Sequence, residues 1–275
     1  MKRAGNIATY RRLPSAAWAW EFLRRNPGYR ADYRAVRDSL PRPQTLQSGS
    51  VLYVAKDNQQ CAQPWGLLSF VDPSKMAFDA DVFWRPDLLA GALRVKLTRP
   101  NEQTLNEGEP HDTMILSALQ TRRVMLQTLD GARHILLNGE RFWIHLYSIK
   151  RVPPDDYAVI DVRFDGAKHM RRRLDTAAQL LSLHRSAGGK LSLIGRRRNA
   201  GRLIDAMTAY DIWNGFEQPK GGLRDIAIAL SGEARVKEDW TGSSRYLKDV
   251  ARRARDRGAK LVDGGYKALL SRKNL

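Results

Sequence analysis

Hydrophobic positions recur with two different periods along this chain, and the change of period divides it. Before about residue 48 the pattern is helical. Trp18-Ala19-Trp20-Glu21-Phe22-Leu23-Arg24-Arg25 predicts a short helix stopped by Asn26-Pro27-Gly28, with Trp18 and Phe22 as packing anchors. Tyr29, Tyr33 and Val36 predict a second helix, closed by Pro41 and Pro43. From Ser50 the period becomes two. Val51–Val54, Trp65–Val71, Val82–Trp84 and Leu93–Leu97 read as strands. Between Val124 and Tyr147 the pattern is clearest, because Asp130-Gly131 and Asn138-Gly139 each separate β-rich runs and favour the positive φ of tight hairpin turns. Three antiparallel strands in a meander are expected there, with Tyr157–Phe164 as a fourth, and a helix near Asp112–Gln120 interrupts the strands.

Pro153-Pro154-Asp155-Asp156 and Asp165-Gly166 are the natural breaks. Beyond them four helices are expected, about Arg171–Arg185, Asn199–Asn214, Leu223–Ser231 and Ser243–Val262, punctuated by Gly188-Gly189, Pro219-Lys220-Gly221-Gly222 and Gly264-Gly265. The expected fold class is therefore α+β. Residues 1–165 form a domain of short helices and an antiparallel β-meander, and residues 166–275 form an all-α, helix-turn-helix-like domain. In the latter, Leu223–Ser231 is the first helix of the pair, with Leu223, Ile226, Ala227 and Leu230 buried and Gly232 as its stop. Glu233–Trp240 is too long for the usual tight turn, so it is expected to be an extended connection pinned by Val236 and Trp240.

The last helix carries the strongest candidate chemistry. Ser243 or Ser244 suits the N-cap, since a hydroxyl there accepts an orphaned first-turn N–H. Leu247, Val250, Ala251, Ala254, Gly258 and Leu261 form one apolar stripe. Arg245, Lys248, Arg252 and Arg255 fall together on another face, with Asp249 and Asp256 at its edge. One side wants a core and the other a phosphate backbone, although a charge run on a surface helix is also met simply by solvent. Ser243, Ser244, Arg245, Lys248, Arg252 and Arg255 are the candidate DNA-contacting residues, Arg245 and Lys248 nearest the base edges. Arg196-Arg197-Arg198, in a turn, is a candidate phosphate-contacting cluster. Arg171-Arg172-Arg173 opens a helix, where the dipole disfavours cations; that placement fits either a partner or plain solvent screening.

Charge supports this reading. The formal net charge is +18, and it is uneven: residues 1–165 hold 23 basic against 18 acidic side chains, residues 166–275 hold 24 against 11. A basic module joined to a nearly balanced one points to a polyanion, with double-stranded DNA ahead of a membrane surface because no segment couples Lys and Arg to a broad Trp, Phe and Leu face. The single cysteine, Cys61, excludes an internal disulfide and a cysteine zinc cluster. No signal-peptide run or long apolar span occurs, so a cytoplasmic location is expected. No phosphate loop, dinucleotide fingerprint, His-Glu-x-x-His or nucleophile elbow is present, and His111, His134, His145, His169 and His184 lie at no metal-ligand spacing. No enzyme, cofactor or metal is expected. His169-Met170-Arg171-Arg172 with Tyr266 faintly echoes a tyrosine recombinase, but the interval is too long, and Tyr266 is better read as a packing anchor.

Leu223-Arg224-Asp225-Ile226-Ala227, Asp239-Trp240, Ser243-Ser244, Arg252-Arg253 and Asp263-Gly264-Gly265-Tyr266 together resemble the RovC-type transcription-factor DNA-binding domain, over about residues 168–271. Trp18 to Pro27, with Tyr29-Arg30, resembles the regulator-like segment that precedes this domain in alphaproteobacterial members. The resemblance implies a bacterial DNA-binding transcriptional regulator, an activator of type VI secretion or mobile-element genes, assembled as a homo-oligomeric ring. It equally allows an antiactivator, because the family includes small members that bind another regulator protein instead of DNA. No contact residue is carried over from it.

Overall fold

The computed structural model describes residues 8–98, 114–139, 142–149, 159–164, 166–185, 200–241 and 245–271. Its fold is α+β, with a mixed sheet followed by a helical region. By compactness the chain divides into two units: Met1–Ala31 with Arg196–Leu275, and Asp32–Gly195.

The second unit is built on one sheet. Its strands are β1 (Gln44–Thr45), β2 (Val51–Val54), β3 (Leu93–Thr98), β4 (Arg122–Gln127), β5 (Arg133–Gly139), β6 (Phe142–Ser148) and β7 (Val159–Arg163), in the order β1-β2-β4-β5-β6-β3-β7. β4, β5 and β6 pair antiparallel, but β2 runs parallel to β4 and β3 parallel to β6, so the sheet as a whole is mixed. β7 pairs with β3 at the far edge and does not extend the β4–β6 run. The β4–β5 turn forms around Asp130, whose carboxylate accepts from Thr128 Oγ1 at 2.5 Å and from the Ala132 N–H at 3.1 Å, while Gly131 takes φ 83°. These bonds hold the Asp130 carboxyl below its usual range. Asn138-Gly139 is not a turn. Both residues lie in β5, paired with Trp143 and Phe142, and the Phe142 ring fills the place a β-carbon on Gly139 would need.

Alternation along the strands builds two cores. Met125, Ile135, Leu137, Ile144 and Leu146 face one way with Leu93 and Val95. Helix α3 (Met170–Arg185) covers that face, burying Leu180 and Leu183 in it, although the sequence reads this helix as the first of the C-terminal four. Val124, Leu126 and Leu136 face the other way, against Phe83. Two expected strands are not strands. Asp57–Trp65 is a 3₁₀ helix ended by Gly66 at φ 79°, and Leu67 and Trp84 form only an isolated bridge. The helix expected near residue 112 is a single 3₁₀ turn, Leu116–Ala118, among the described residues.

The first unit is helical. α1 (Ser15–Leu23) is buried along its whole length, which suits SAAWAWEFL, apolar but for Ser15 and Glu21. Trp20 meets the Tyr29 ring edge-on at 5.7 Å. Asn26 caps α2 (Pro27–Val36), its Oδ1 accepting the Tyr29 N–H at 3.1 Å, and Pro27 takes the first helical position, where its missing N–H costs nothing. α4 (Ala200–Asn214), α5 (Leu223–Ser231), α6 (Glu233–Asp239), α7 (Tyr246–Lys260) and α8 (Lys267–Ser271) complete it. The segment expected to be an extended connection is α6. Gly232, at φ 88°, turns the chain in one residue, and α6 buries Val236 while leaving Glu233, Arg235 and Lys237 exposed.

Candidate nucleic-acid interface

α7 is a helix-forming sequence, rich in Arg and Ala. It starts one or two residues later than the sequence places it, with Arg245 at the N-cap and no side-chain cap bond; Ser243 and Ser244 lie outside the described residues. Leu247, Ala251, Ala254 and Gly258 are buried, and Val250 and Leu261 half-buried. The stripe packs on Ala209 and Ile212 of α4 and on Ile226 and Ala227 of α5. Small residues at the crossing let the helices approach closely. The chain leaves helical geometry at Asp263 and at Gly264, φ 87°.

Inward packing of the stripe turns the cations out. Arg245 is exposed, and Arg252, 54% exposed along its side chain, donates to Asp249 at 3.1 Å. Lys248 Nζ sits 5.5 Å from the Trp240 ring centre. Arg255 is partly enclosed, 25% exposed along its side chain: it lies 4.7 Å over the Trp213 ring, and Nη2 donates to Asp256 at 2.7 Å. Three further cations on α7 are exposed, Arg253, Arg257 and Lys260, and the sequence reading omitted them. The exposed face is thus rotated from the expected one. Its middle holds Arg245, Asp249, Arg252 and Asp256, with the two carboxylates central, not at the edge. The signal that fixes the rotation is the depth of Leu247, Ala251, Ala254 and Gly258, which a helical wheel alone does not give. No carboxylate network encloses Arg245 or Arg252 among the described residues, so both can reach an outside anion.

Arg196, Arg197 and Arg198 lie outside the described residues. Arg171 is exposed in the sheet unit, whereas Arg172 is half-buried there and burial pulls its pKa down. Tyr266 is buried, and burial pushes its phenol up, as a packing anchor requires. Cys61 is exposed. Among the described residues no group of three or more His, Cys, Asp or Glu could hold a metal ion.

Sequence reasoning missed two buried clusters. Glu21, fully buried on α1, accepts from Arg24 and Arg25 at 2.7 Å each. Arg25 also grips Asp211 of α4 through both oxygens, at 2.6 and 2.9 Å. Arg24, Arg25 and Arg30 all stand about the Phe216 ring, at 5.2, 4.9 and 5.3 Å. A glutamate near the end of an otherwise apolar helix, with arginines three and four residues on, was the available clue. In the sheet, His134 Nδ1 lies 3.2 Å from His145 Nε2, both rings buried. Burial lowers His134 to about 4 and holds His145 well below its usual range, the second also through the first.

Residues 157–271 match the family described as "T6SS, Transcription factor, DNA binding domain", and residues 3–70 match the "Proteobacterial transcriptional regulator-like domain". These are the two resemblances read from the sequence. Each match covers less than half of the chain; the C-terminal region is similar to a transcription-factor DNA-binding domain and the N-terminal region to a transcriptional-regulator-like domain. No curated protein matches the chain. Among the described residues no helix is long and apolar enough to cross a membrane.

Proposed function

We propose that the chain is a sequence-specific regulator that presents the outward face of α7 to the major groove of double-stranded DNA. The observation that carries this reading is one helix divided cleanly in two: Leu247, Ala251, Ala254 and Gly258 are buried, while Arg245, Arg252, Arg253, Arg257 and Lys260 are exposed. A helix of this diameter fits the roughly 12 Å major groove. Cations on it neutralise phosphates and release counterions. α5, α6 and α7 are read as an expanded helix-turn-helix, with α7 as its recognition helix. Residues 166–275 would carry the DNA-contacting surface, and residues 1–165 would serve assembly or partner contact. The family resemblance supports an activator of bacterial secretion or mobile-element genes, working in the cytoplasm as a homo-oligomer.

Genome-wide immunoprecipitation of bound DNA tests the proposal. Enrichment of a shared motif upstream of such genes supports it. Absence of any DNA affinity at low salt, with co-purification of another regulator, would favour the antiactivator reading instead.

A further inference from the structure

The outward row of α7 runs Arg245, Asp249, Arg252, Asp256, spaced four, three and four residues apart, so these side chains share an arc of about 60°. Asp249 and Asp256 are 44% and 58% exposed along their side chains. Around the helix, Lys248 and Arg255 lie to one side of this row, and Arg253, Arg257 and Lys260 to the other. The face is therefore cationic on both flanks and carries carboxylates along its midline.

That arrangement is poor for lying across a phosphate ridge, where the central carboxylates would meet the backbone charge directly. In a major groove the two phosphate rows pass beside the flanks, and the midline points at base edges. We propose that Asp249 and Asp256 are specificity-determining residues, each accepting a hydrogen bond from cytosine N4, the amino donor that a carboxylate recognises on the groove floor. The inference rests on the DNA-binding reading above. Seven residues of helix advance about 10.5 Å. Three steps along one DNA strand advance about 10 Å. Two cytosines three base pairs apart thus match the spacing of the two carboxylates.

The neighbouring arginines prepare the site. Arg252 Nη1 holds Asp249 Oδ1 at 3.1 Å, and Arg255 holds Asp256 Oδ1 through Nε and Nη2 at 2.9 and 2.7 Å. A carboxylate offers about four acceptor sites, so each can keep its arginine and take a base amino group as well. Against any sequence lacking that amino group, the carboxylate is left desolvated beside phosphates, which penalises the wrong site as well as rewarding the right one.

The test is selection from a pool of random duplex DNA by the full chain and by its Asp249→Asn and Asp256→Asn forms, with affinity for an unselected duplex measured beside it. The expected result is a motif with two C·G pairs three base pairs apart. Each variant should lose preference at one of them by about tenfold or more, while binding the unselected duplex more tightly than the parent does. A parent motif that both variants retain, with affinity merely raised for every sequence, would overturn the assignment and leave α7 as a DNA-binding helix. A parent chain that selects no DNA at all would overturn the functional reading itself, and this inference with it.

Discussion

Arg25 and Asp211 form a two-pronged ion pair, Nε to Oδ1 at 2.6 Å and Nη2 to Oδ2 at 2.9 Å, joining the turn after α1 to α4 across 186 positions of sequence. Burial opposes the Arg25 charge, but Asp211 and Glu21 outweigh it and keep the guanidinium well above its usual range. Removing one partner strands the other, so Asp211→Asn or Glu21→Gln should cost about 3–5 kcal/mol. Urea unfolding of the full chain measures this. A loss below about 1 kcal/mol would mean that water reaches the pair and weakens it as it does a surface bridge. Because α1 is buried throughout, a fragment of residues 196–275 should also lack a cooperative transition.

Gly258 is where α7 meets α4. A β-carbon there would overlap the carbonyl oxygen of Ala206 and press on Tyr210 Cβ. Alanine normally stabilises a helix over glycine by about 1 kcal/mol. Here the backbone must separate, and we expect Gly258→Ala to lower stability by about 1–3 kcal/mol. Thermal unfolding distinguishes the two signs. A stabilised variant would contradict the close crossing.

The His134–His145 pair gives the sheet unit a defined acid sensitivity. His134 is held near 4 by burial, against about 6.5 for a free imidazole. Below pH 6.5 the unfolded chain therefore binds a proton that the folded side chain refuses. Stability from this group is full above about pH 6.5, declines as pH falls toward 4, and changes no further below that, a total on the order of 3 kcal/mol. His145 acts in the same direction. Urea midpoints between pH 7 and pH 4 should fall steeply for the parent and less steeply for His134→Gln. Parallel curves would refute the burial of the pair.

On α7, the exposed cations should divide by role. Arg253→Ala or Lys260→Ala, on the flank, should weaken binding to all sequences alike and reduce the salt slope by about 1. Arg245→Ala should cost about 1–3 kcal/mol and relax preference at one base pair. Quantitative gel shifts over a salt series separate these outcomes; an unchanged footprint and affinity for Arg245→Ala would remove its role.

Helices were more legible in the sequence than strands, and for a physical reason. Leu223–Ser231 carries its stripe and its acidic first turn, and its glycine stop follows at once at Gly232, so local rules define it. Trp65–Val71 alternates like a strand, yet its backbone forms only one bridge, since partner choice is set by distant residues. The parallel pairings of β2 with β4 and β3 with β6 are likewise non-local, and no turn motif announces them. The packing of α1 against α8, and the reach of Arg25 from the turn after α1 to Asp211 of α4, are equally non-local. At the site, the residue types on α7 were legible. Which of them point outward depended on how deeply Ala251 and Gly258 sink against α4.

The central claim is that the outward face of α7 binds duplex DNA electrostatically and reads it. The most direct test is the salt dependence of DNA affinity for the parent chain and for a variant with Arg245, Arg252 and Arg253 all changed to alanine. With about four to six phosphates neutralised per subunit, the parent should give a log–log slope near −4 to −5. The triple variant should show a slope shallower by about 1, the share of flanking Arg253, with lower affinity and a weakened sequence preference from the loss of Arg245 and Arg252. Equal slopes and equal affinities for the two proteins would place the DNA-binding surface elsewhere and contradict the account.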